Sequence, residues 1–337
     1  MTEARDRLYW MISGFRAAQL IRTAALLGVC DVIASRSLKA ADVAAEVGAD
    51  PALIRRLLRS LVGLGVLEER ADGAFSNAEM GELLRKDVQG SARSAALTFP
   101  DDHWWAAWSA LPRALKENRV PFDVAHGQSF WDVAATDREI ATNFNQFMVE
   151  ETDAFVPVLL AAYDFNACQL IVDVGGGSGA LLGGVLAAHP SLKGIVFDLA
   201  AGLEGADDQL GRLGVRDRCD QVAGSFFESI PNGADAYLLR EILHDWDDER
   251  ASRILACCRR AMSRGAGLLV MDCLMPTRVT DSVEDRDALL LDMHMHVLFG
   301  ARERTENELR GMLERAGFAV ERVIPVSPQP IIVATAV

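Results

Sequence analysis

The sequence lacks a long hydrophobic run, an excess of positive charge and any closely paired cysteines. Half of its 337 residues are hydrophobic, but no stretch of about 18 consecutive apolar residues occurs, which argues against a transmembrane helix. Lys and Arg number 34 against 48 Asp and Glu, and the net charge of −14 opposes general binding to nucleic acid or anionic membranes. The ample apolar content excludes a disordered chain.

The six cysteines are scattered, and none forms a C-x-x-C pair. They are Cys30, Cys168, Cys219, Cys257, Cys258 and Cys273. This spacing fits neither a zinc site nor a disulfide framework, so we interpret them as buried, reduced thiols. The N-terminal MTEARDRLYW mixes acids with bases and does not have the form of a signal peptide. Together these features predict a cytoplasmic protein.

Charge and periodicity divide the chain into three predicted parts: 1–95, 96–165 and 166–337. The first part is nearly neutral, with 13 basic against 12 acidic residues, whereas the rest has 21 against 36. An apolar stripe ending near Gly28, a second short helix ending near Gly48 and a third beginning at Pro51 are followed by a hairpin turn at Asp72-Gly73. Helices followed by a hairpin are typical of a winged helix.

Two functions are open for this helical part. Arg55, Arg56 and Arg59 lie on the third helix and suggest DNA binding, but the acidic chain disfavours phosphate contacts. A packing and dimerisation module is the preferred interpretation. In the same helix, the spacing predicts that one apolar face contains Leu53, Leu57, Leu58 and Leu61.

The predicted connector, 96–165, is mainly helical and rich in aromatic residues. Its aromatic group consists of Trp104, Trp105, Trp108, Phe130 and Trp131. Phe144 and Met148, four residues apart, share a helix face. These side chains either line an apolar pocket or pack between the two halves of the chain; Trp105, Phe144 and Met148 are our candidate pocket residues.

The last part, 166–337, alternates strands with helices. LIVDV, GIVFDL, YLLR and LLVMD read as strands, with helical segments between them, which predicts an α/β domain with a parallel sheet covered on both faces. The C-terminal segments ERVIPV and IIVATAV instead predict an antiparallel pair.

A glycine-rich loop follows the first of these strands. Gly175, Gly176 and Gly177 allow a ligand to approach the backbone, and Asp198, about twenty residues on, ends the next strand, where a carboxylate can accept both hydroxyls of a ribose. The pattern also fits the dinucleotide fingerprint of a nicotinamide enzyme. Asp173, inside the strand and followed by three glycines, favours a ligand with an ammonium group and points to S-adenosylmethionine.

The segment LHDWDD places His244 just beyond a strand, at the carboxyl edge of the sheet, where open α/β sheets bind ligands. A histidine there can take a proton from a hydroxyl group. Asp272 ends the following strand and Glu303 precedes a helix, so either carboxylate can orient the imidazole. Asp245, like its neighbours at 247 and 248, is interpreted as a charge at the start of the next helix.

The segment LDMHMHVLFG contains two histidines, His294 and His296, two residues apart. We expect a helix, on which such residues face apart, so no metal site is predicted. Met295 and Phe299 either contact an acceptor molecule or belong to the core.

These motifs resemble the plant caffeate-type family of S-adenosylmethionine-dependent O-methyltransferases and its bacterial natural-product relatives. The likeness covers nearly the whole chain and includes FNQFM, LIVDVGGGSG, VFDL, GSFF, LHDWDD, GARERT and the closing AGF. It implies a class I methyltransferase, Rossmann-like sheet of seven strands with the last strand reversed. It also implies a homodimer through an N-terminal helical, winged-helix dimerisation domain.

The resemblance implies site roles as well. Gly175, Gly177 and Asp173 match positions around the methionine part of the cofactor, and Asp198 matches the ribose position. Ser225 and Phe226 match the pair at adenine, Arg240 matches a basic cofactor contact, and His244 with Asp272 and Glu303 matches the general base and its two flanking acids. Three residues depart from the family: Ser225 replaces Asp, Arg240 replaces Lys and Asp272 replaces Glu, which leaves the imidazole oriented mainly by Glu303.

The expected reaction is metal-independent methyl transfer to a hydroxyl group of a small, flat, apolar aromatic metabolite, with His244 as the base. Methyl transfer to carbon or nitrogen on the same scaffold remains an alternative. A nicotinamide oxidoreductase and a regulator with a methyltransferase-like sensor domain are further alternatives.

Overall fold

The computed structural model describes residues 3–86 and 88–337. It divides into two compact units. One comprises the chain up to Trp105 together with Thr142–Glu150, and the other comprises Ala106–Ala141 and Glu151–Val337. The segment predicted as a connector, 96–165, therefore contributes residues to both units.

The N-terminal elements are helices with one short hairpin. The helices are α1 Glu3–Ser13, α2 Phe15–Leu27, α3 Val29–Ile33, α4 Ala40–Val47, α5 Pro51–Gly63, α6 Glu79–Glu82 and α7 Arg93–Thr98, and the strands are β1 Leu67–Glu69 and β2 Phe75–Asn77. The two strands pair antiparallel, as the Asp72-Gly73 turn predicts. The predicted helix ends at Gly28 and Gly48 are present, because both glycines adopt the left-handed conformation that terminates a helix.

The predicted apolar face of α5 is wrong in one position. Ile54, Leu58 and Leu61 are the buried residues of this helix, whereas Leu53 is 61% exposed. The 3.6-residue period accounts for the difference, since 54, 58 and 61 share one side of the helix and 53 lies about 100° away.

Four helices follow the hairpin region, which confirms that residues 96–165 are mainly helical. They are α8 Asp102–Glu117, α9 Pro121–His126, α10 Phe130–Thr136 and α11 Arg138–Ala162. Capping side chains explain two of the starts: Ser129 accepts the Asp132 N–H, and Asp137 accepts the N–H groups of Glu139 and Ile140.

A seven-stranded sheet forms the centre of the second unit. Its strands are β3 Leu170–Val174, β4 Lys193–Asp198, β5 Cys219–Ala223, β6 Ala236–Arg240, β7 Gly267–Met271, β10 Phe318–Ile324 and β11 Ile331–Ala336. Their spatial order is β10-β11-β7-β6-β3-β4-β5. Neighbours from β7 to β5 are parallel, and β11 is antiparallel to both β7 and β10. The expected seven strands and reversed last strand are confirmed.

Helices cover both faces of this sheet. They include α12 Ala180–Ala188, α13 Ala206–Arg212, α14 Asp248–Ala261 and α16 Glu306–Arg315, whereas α15 Val283–Phe299 packs against α9 and the segment 274–275. Residues of α14 and α16, such as Ile254 and Leu313, pack in the core on one face. Residues of α12 and the end of α11, such as Leu182 and Phe155, pack on the other. The short parallel pair β8 Leu274–Met275 and β9 Arg304–Thr305 completes the fold.

Candidate active site

The glycine loop after β3 has a shape that only glycine permits. Gly175 and Gly177 have φ values of +75° and +54°, in the left-handed region that other residues rarely adopt. A Cβ atom on Gly175 would lie 2.4 Å from the Ile242 side chain, and one on Gly176 would lie 2.8 Å from the Asp173 carboxyl group. The loop backbone is therefore packed closely against Asp173 of β3 and against Ile242, which follows β6.

Two carboxyl groups flank this loop. Asp173 is 2% exposed, and among the described residues its Oδ2 atom has no hydrogen-bond partner. Burial, together with the nearby charge of Asp198, raises the pKa of Asp173 to about 7. The Asp198 carboxylate accepts the N–H groups of Gly177 at 2.9 Å and Leu199 at 2.6 Å, and burial raises its pKa despite these bonds. The strand ends thus bring the predicted loop and both predicted acids together.

Arg240, at the end of β6, is a buried cation held by several partners. Its Nη1 donates to the Thr152 hydroxyl at 2.8 Å and lies 2.9 Å from the Glu241 carboxylate, and its guanidinium lies over the Phe155 ring. Within the described part of the chain, its Nε and Nη2 atoms have no hydrogen-bond acceptor. Gln329 donates to the other oxygen of Glu241, a residue with the unusual φ of +53°.

Ser225 and Phe226 follow the end of β5, close to the same edge of the sheet. The Ser225 hydroxyl accepts the Phe227 N–H at 3.3 Å. The Phe226 ring meets the rings of Phe227 and Trp246 edge to face, at 4.9 and 6.0 Å between centroids. These aromatic contacts connect the segment after β5 to the segment after β6.

His244 lies in a single turn of 3₁₀ helix, Leu243–Asp245, directly after β6. Its Nδ1 atom is 2.7 Å from Oε1 of Glu303, and both residues are buried. Because a carboxylate only accepts, the hydrogen bond assigns the shared proton to Nδ1 and leaves Nε2 as the basic nitrogen of the neutral ring. Burial alone lowers the pKa of His244, but the charges of Glu303 and Asp245 outweigh burial and hold that pKa well above its ordinary value.

Two further acids surround the imidazole. Asp245 Oδ1 is 3.5 Å from His244 Nε2, and burial raises the pKa of Asp245 to about 7. The interpretation of Asp245 as a helix-start charge is therefore wrong, because its partly buried side chain lies beside His244; Asp247 instead caps α14 through the Arg250 N–H. Asp272 is 3% exposed, and neither of its oxygens bonds to a described residue.

Asp272 interacts with the imidazole of His244 through its charge and not through a hydrogen bond. Burial raises the pKa of Asp272 to about 6, although the His244 charge acts in the opposite direction. A carboxyl group on the shorter Asp side chain comes near enough to interact electrostatically with the imidazole but does not hydrogen-bond to it. Glu303 is thus the acid that holds the ring.

A cavity of about 590 Å³ opens beside this group in the second unit. Asp245, whose Oδ1 is 3.5 Å from His244 Nε2, contributes to the cavity wall, whereas His244 itself is not a lining residue. The aromatic lining residues are Phe130, Trp131, Phe227, Trp246 and Phe299. Trp131 and Phe299 stack at 5.3 Å with an angle of 14° between their planes. Cavities of this size and composition commonly bind small organic molecules.

The five predicted pocket residues occupy different places. Phe299 lines this cavity, whereas Met295, on the same helix, is only 6% exposed and belongs to the buried core. Trp105, Phe144 and Met148 belong to the first unit.

His294 and His296 lie on α15, as the helical prediction requires. The His294 Nδ1 atom accepts the Trp108 indole N–H at 3.3 Å. Across the part of the chain that the structure describes, no group of three or more His, Cys, Asp or Glu side chains is arranged to hold a metal ion. None of the helices formed by residues 3–86 and 88–337 combines the length and apolar character that a membrane crossing requires.

Sequence reasoning missed several residues of this site. Thr152 and Glu241 hold Arg240, but nothing in their spacing marks them, because the contact with Thr152 joins elements 88 residues apart. Arg304 is fully buried beside Glu303. Its one sequence signal is the alternation in GARERT, where a strand would direct the Glu and Arg side chains to opposite sides.

Comparison with known proteins shows to which family the chain belongs. A model of the O-methyltransferase domain matches residues 108–319, and a model of the O-methyltransferase dimerisation domain matches residues 10–87. The chain belongs to this O-methyltransferase family. Its sheet, with β11 reversed, is that of a class I methyltransferase.

Similar family members act on aromatic metabolites. The phenazine O-methyltransferase of Lysobacter antibioticus is 34% identical, over 95% of this chain and 92% of its own. The phenazine-1-carboxylate N-methyltransferase of Pseudomonas aeruginosa is 32% identical, over 99% of this chain and 98% of its own. A solved O-methyltransferase from neocarzinostatin biosynthesis, in complex with S-adenosylmethionine and 2-hydroxy-5-methyl naphthoic acid, shares 32% identity. It has a TM-score of 0.79 and covers 95% of this chain and 96% of its own.

Proposed function

We propose that this O-methyltransferase moves the methyl group of S-adenosylmethionine to a hydroxyl group of a small aromatic metabolite, with His244 as general base. The observation that carries the proposal is the buried His244–Glu303 pair, 2.7 Å apart, at the same sheet edge as the glycine loop. Buried charges are costly to maintain, and an apolar pair of residues would stabilise the fold equally well. A buried imidazole oriented by a carboxylate therefore indicates a functional role.

The residues after β3, β4 and β6 fit the methionine and ribose parts of this cofactor. Asp173 has an unpartnered buried oxygen and Arg240 has unpartnered buried donors among the described residues, which suit the ammonium and carboxylate groups of an amino acid. The glycine loop leaves no room for Cβ atoms at 175 and 176, so only bare backbone can face a ligand there. Asp198 ends the next strand, where it would hold the ribose hydroxyls.

The residues proposed to contact adenine, Ser225 and Phe226, carry no charge, unlike Asp173, Asp198 and Arg240. Phe226 presents an aromatic ring, and Ser225 presents a hydroxyl group where the resembling family usually has a carboxylate. A hydroxyl forms a weaker bond to an amino group than a carboxylate does. We therefore assign adenine binding mainly to contact with the Phe226 ring.

When bound, S-adenosylmethionine supplies an electrophilic methyl group on a positively charged sulfur. His244 accepts the proton of the acceptor hydroxyl at Nε2 while the oxygen attacks the methyl carbon, and S-adenosylhomocysteine leaves. Glu303 keeps the ring proton on Nδ1 and stabilises the imidazolium that forms. General-base catalysis of this kind contributes roughly 10²–10⁴-fold, and alignment of the two reactants supplies much of the remainder.

The aromatic body of the acceptor fits the cavity beside Asp245. Its volume of about 590 Å³ lies within the range that small ligands occupy. The flat faces of Trp131, Trp246 and Phe299 favour a planar molecule. The aromatic acid bound in the neocarzinostatin enzyme supports the same class of acceptor.

Methyl transfer to nitrogen is the second candidate. It is supported by the relative that methylates phenazine-1-carboxylate on nitrogen. An aromatic ring nitrogen already carries a lone pair and needs no base to expose it. The intact His244–Glu303 pair therefore favours oxygen, and loss of the base separates the two reactions.

We also infer that the protein works as a homodimer. The dimerisation model matches residues 10–87. In α1 none of the residues is buried, and Tyr9, Trp10 and Met11 are 60–65% exposed. An exposed run of large apolar side chains of this kind is costly to leave in water and is typical of an interface.

The test is methyl transfer from isotope-labelled S-adenosylmethionine to a panel of hydroxylated aromatics and aromatic nitrogen heterocycles, with wild type beside His244→Ala. We expect oxygen methylation, with kcat in the variant reduced about 10²–10⁴-fold. Binding of S-adenosylhomocysteine, measured by calorimetry, should change little, which controls for folding. Full activity of His244→Ala on a phenolic acceptor contradicts the assigned base, and product methylated only on nitrogen favours the second candidate.

A further inference from the structure

The segment that carries Glu303 is held rigidly. The Glu303 N–H donates to the Asp292 carboxylate at 2.9 Å, and β9, Arg304–Thr305, pairs with β8. Thr305 then caps α16, where its side chain and that of Glu308 bond reciprocally. From this one segment, Glu303 contacts the His244 ring and Arg304 contacts the backbone of the turn that carries it.

Arg304 binds the backbone on both sides of His244. Its Nη1 donates to the Leu243 carbonyl at 2.7 Å and its Nη2 to the Trp246 carbonyl at 2.7 Å. The residue is 1% exposed. The planar guanidinium has donors in a fixed arrangement, and therefore sets the distance between these two carbonyls and with it the shape of the turn that carries the imidazole.

The contribution of Arg304 to the stability of the fold does not explain why a charged side chain is buried at this position. Among the described residues its anionic partner is Asp248, at 3.0 Å from Nε, and that side chain is 59% exposed and is shared with Arg302. Its other hydrogen-bond partners there are neutral carbonyls. Replacing a buried ionic group by an apolar side chain of similar volume is often neutral or stabilising, so a cation here indicates a need for defined geometry.

We propose that Arg304 is a positioning residue for His244, which fixes the turn Leu243–Asp245 so that the imidazole stays against Glu303. Adjacent residues of one extended segment thus have complementary roles, because Glu303 holds the ring and Arg304 holds the backbone that carries it. This inference rests on the proposed function, in which His244 is the base. It adds a residue that touches neither the ring nor the reacting atoms.

Arg302 provides a matched control. It lies two residues away and also contacts Asp248, at 3.1 Å, but its side chain is 44% exposed and its other bond is to Glu308. Substituting Met for Arg302 removes the same charge from the same aspartate while leaving the carbonyls of Leu243 and Trp246 bonded to Arg304.

The test uses full-length protein with ¹⁵N-labelled histidine, saturated with S-adenosylhomocysteine, as wild type, Arg304→Met, Arg304→Lys and Arg302→Met. Long-range ¹H–¹⁵N spectra follow the protonation of His244, assigned by His244→Gln, and thermal unfolding checks folding. In Arg304→Met we expect the His244 titration to move to lower pH, because the ring loses its fixed contact with Glu303. We also expect kcat to fall about 10²-fold, with KM for the cofactor nearly unchanged.

Arg302→Met should match wild type in both readouts. Arg304→Lys keeps the charge but lacks the planar fork, so it should show an intermediate shift; it also decides the question if Arg304→Met does not fold. A folded Arg304 variant with an unchanged His244 titration and unchanged kcat overturns the proposal and leaves Arg304 a structural residue. If wild type transfers no methyl group to oxygen, the proposed function fails, while the spectra still decide whether Arg304 positions the ring.

Discussion

The buried pair of His244 and Glu303 joins two residues that are 59 positions apart in the sequence. A carboxylate next to an imidazole stabilises the imidazolium, and burial strengthens this effect because water no longer screens the two charges. The pKa of His244 is accordingly raised well above its ordinary value. As the proposed base, His244 is stronger than a free histidine, but it can accept a proton only at a pH high enough to deprotonate it.

Activity should therefore rise with pH through an apparent pKa above 6.5, the ordinary value for histidine. In Glu303→Gln the stabilising charge is lost, so the pKa of His244 falls and the acid limb of the kcat/KM profile moves to lower pH. The plateau should also fall, by about 10²-fold or more, because an amide can donate to Nδ1 and select the wrong tautomer. Initial rates between pH 5 and 9 measure both changes.

Glu314→Gln is the control for this change, since it removes the same charge at an exposed position of α16. Its profile should overlay that of wild type. An acid limb that stays in place in Glu303→Gln would show that another group controls the profile.

Asp173 is expected to couple cofactor binding to proton release. Its pKa is about 7 in the free protein, so much of it is protonated at pH 6.5, and the ammonium group of the cofactor favours the ionised form. Binding of S-adenosylhomocysteine at pH 6.5 should release protons, and the apparent enthalpy should vary with the ionisation enthalpy of the buffer. In Asp173→Asn this release should shrink and affinity should fall about 10–100-fold, through loss of a charge-assisted bond.

His244→Gln separates this release from any contribution of the imidazole, whose pKa is also shifted. If the buffer dependence persists unchanged in Asp173→Asn but disappears in His244→Gln, Asp173 is not the source of the proton.

The loop between β3 and α12 is the element on which the cofactor site depends. Its first two glycines are bonded through their N–H groups to the Phe197 carbonyl of β4, at 2.8 and 3.3 Å, which joins the loop to the neighbouring strand. Gly179 then precedes α12 with a φ of +77°. Gly176 lies at the centre of the loop, where a Cβ atom would clash with the Asp173 side chain. Glycine is required there by lack of space and not by an unusual backbone conformation.

Gly176→Ala should weaken or abolish binding of S-adenosylhomocysteine, because the new Cβ atom would lie 2.8 Å from the Asp173 carboxyl group and displace it. Gly211→Ala is the matched control. That glycine lies in α13 with nothing within 4 Å of the added atom, so the substitution should stabilise the protein by about 0.5–1 kcal/mol and leave binding intact. Calorimetry and thermal unfolding of both variants test the pair, and wild-type affinity in Gly176→Ala would contradict the tight packing of the loop.

The whole molecule combines a helical unit that contains the dimerisation match with a unit that contains the proposed base and the candidate cofactor residues. The first has its own core, which includes Val29, Ile33, Leu58 and Phe75. Its first helix contributes no buried residue and exposes a run of large apolar side chains. Such a surface is expected to be covered by a second copy of the chain.

Trp10→Glu together with Ile12→Glu should convert the dimer to a monomer, because both side chains, 65% and 64% exposed, would place charges inside an apolar interface. Light scattering after size-exclusion chromatography measures the mass. Val337→Glu, at an exposed apolar position far along the chain from the dimerisation match, should remain dimeric. A dimer that survives the double substitution places the interface elsewhere.

Local features of the sequence were sufficient to predict most elements. Strand runs such as LIVDV, the glycine loop and the helix ends at Gly28 and Gly48 depend on neighbouring residues and on backbone conformation, so their patterns can be read along the chain. The face of α5 was misassigned at Leu53 and β5 was not anticipated, because burial and strand pairing are decided by distant partners. Residues at the ends of parallel strands were located correctly because such ends meet at one edge.

The sequence therefore established the family, the parallel sheet and the candidate base, each from short motifs with their own chemistry. Only the folded chain decided that Glu303 rather than Asp272 bonds to His244, that Asp245 lies partly buried beside the ring, and that Arg304 binds the carbonyls of Leu243 and Trp246. The bonds of Glu303 and Arg304 depend on side-chain length and direction across segments separated by 58 to 61 residues. Distances of a few tenths of an ångström separate a hydrogen bond from a bare electrostatic contact, and no spacing along a sequence encodes them.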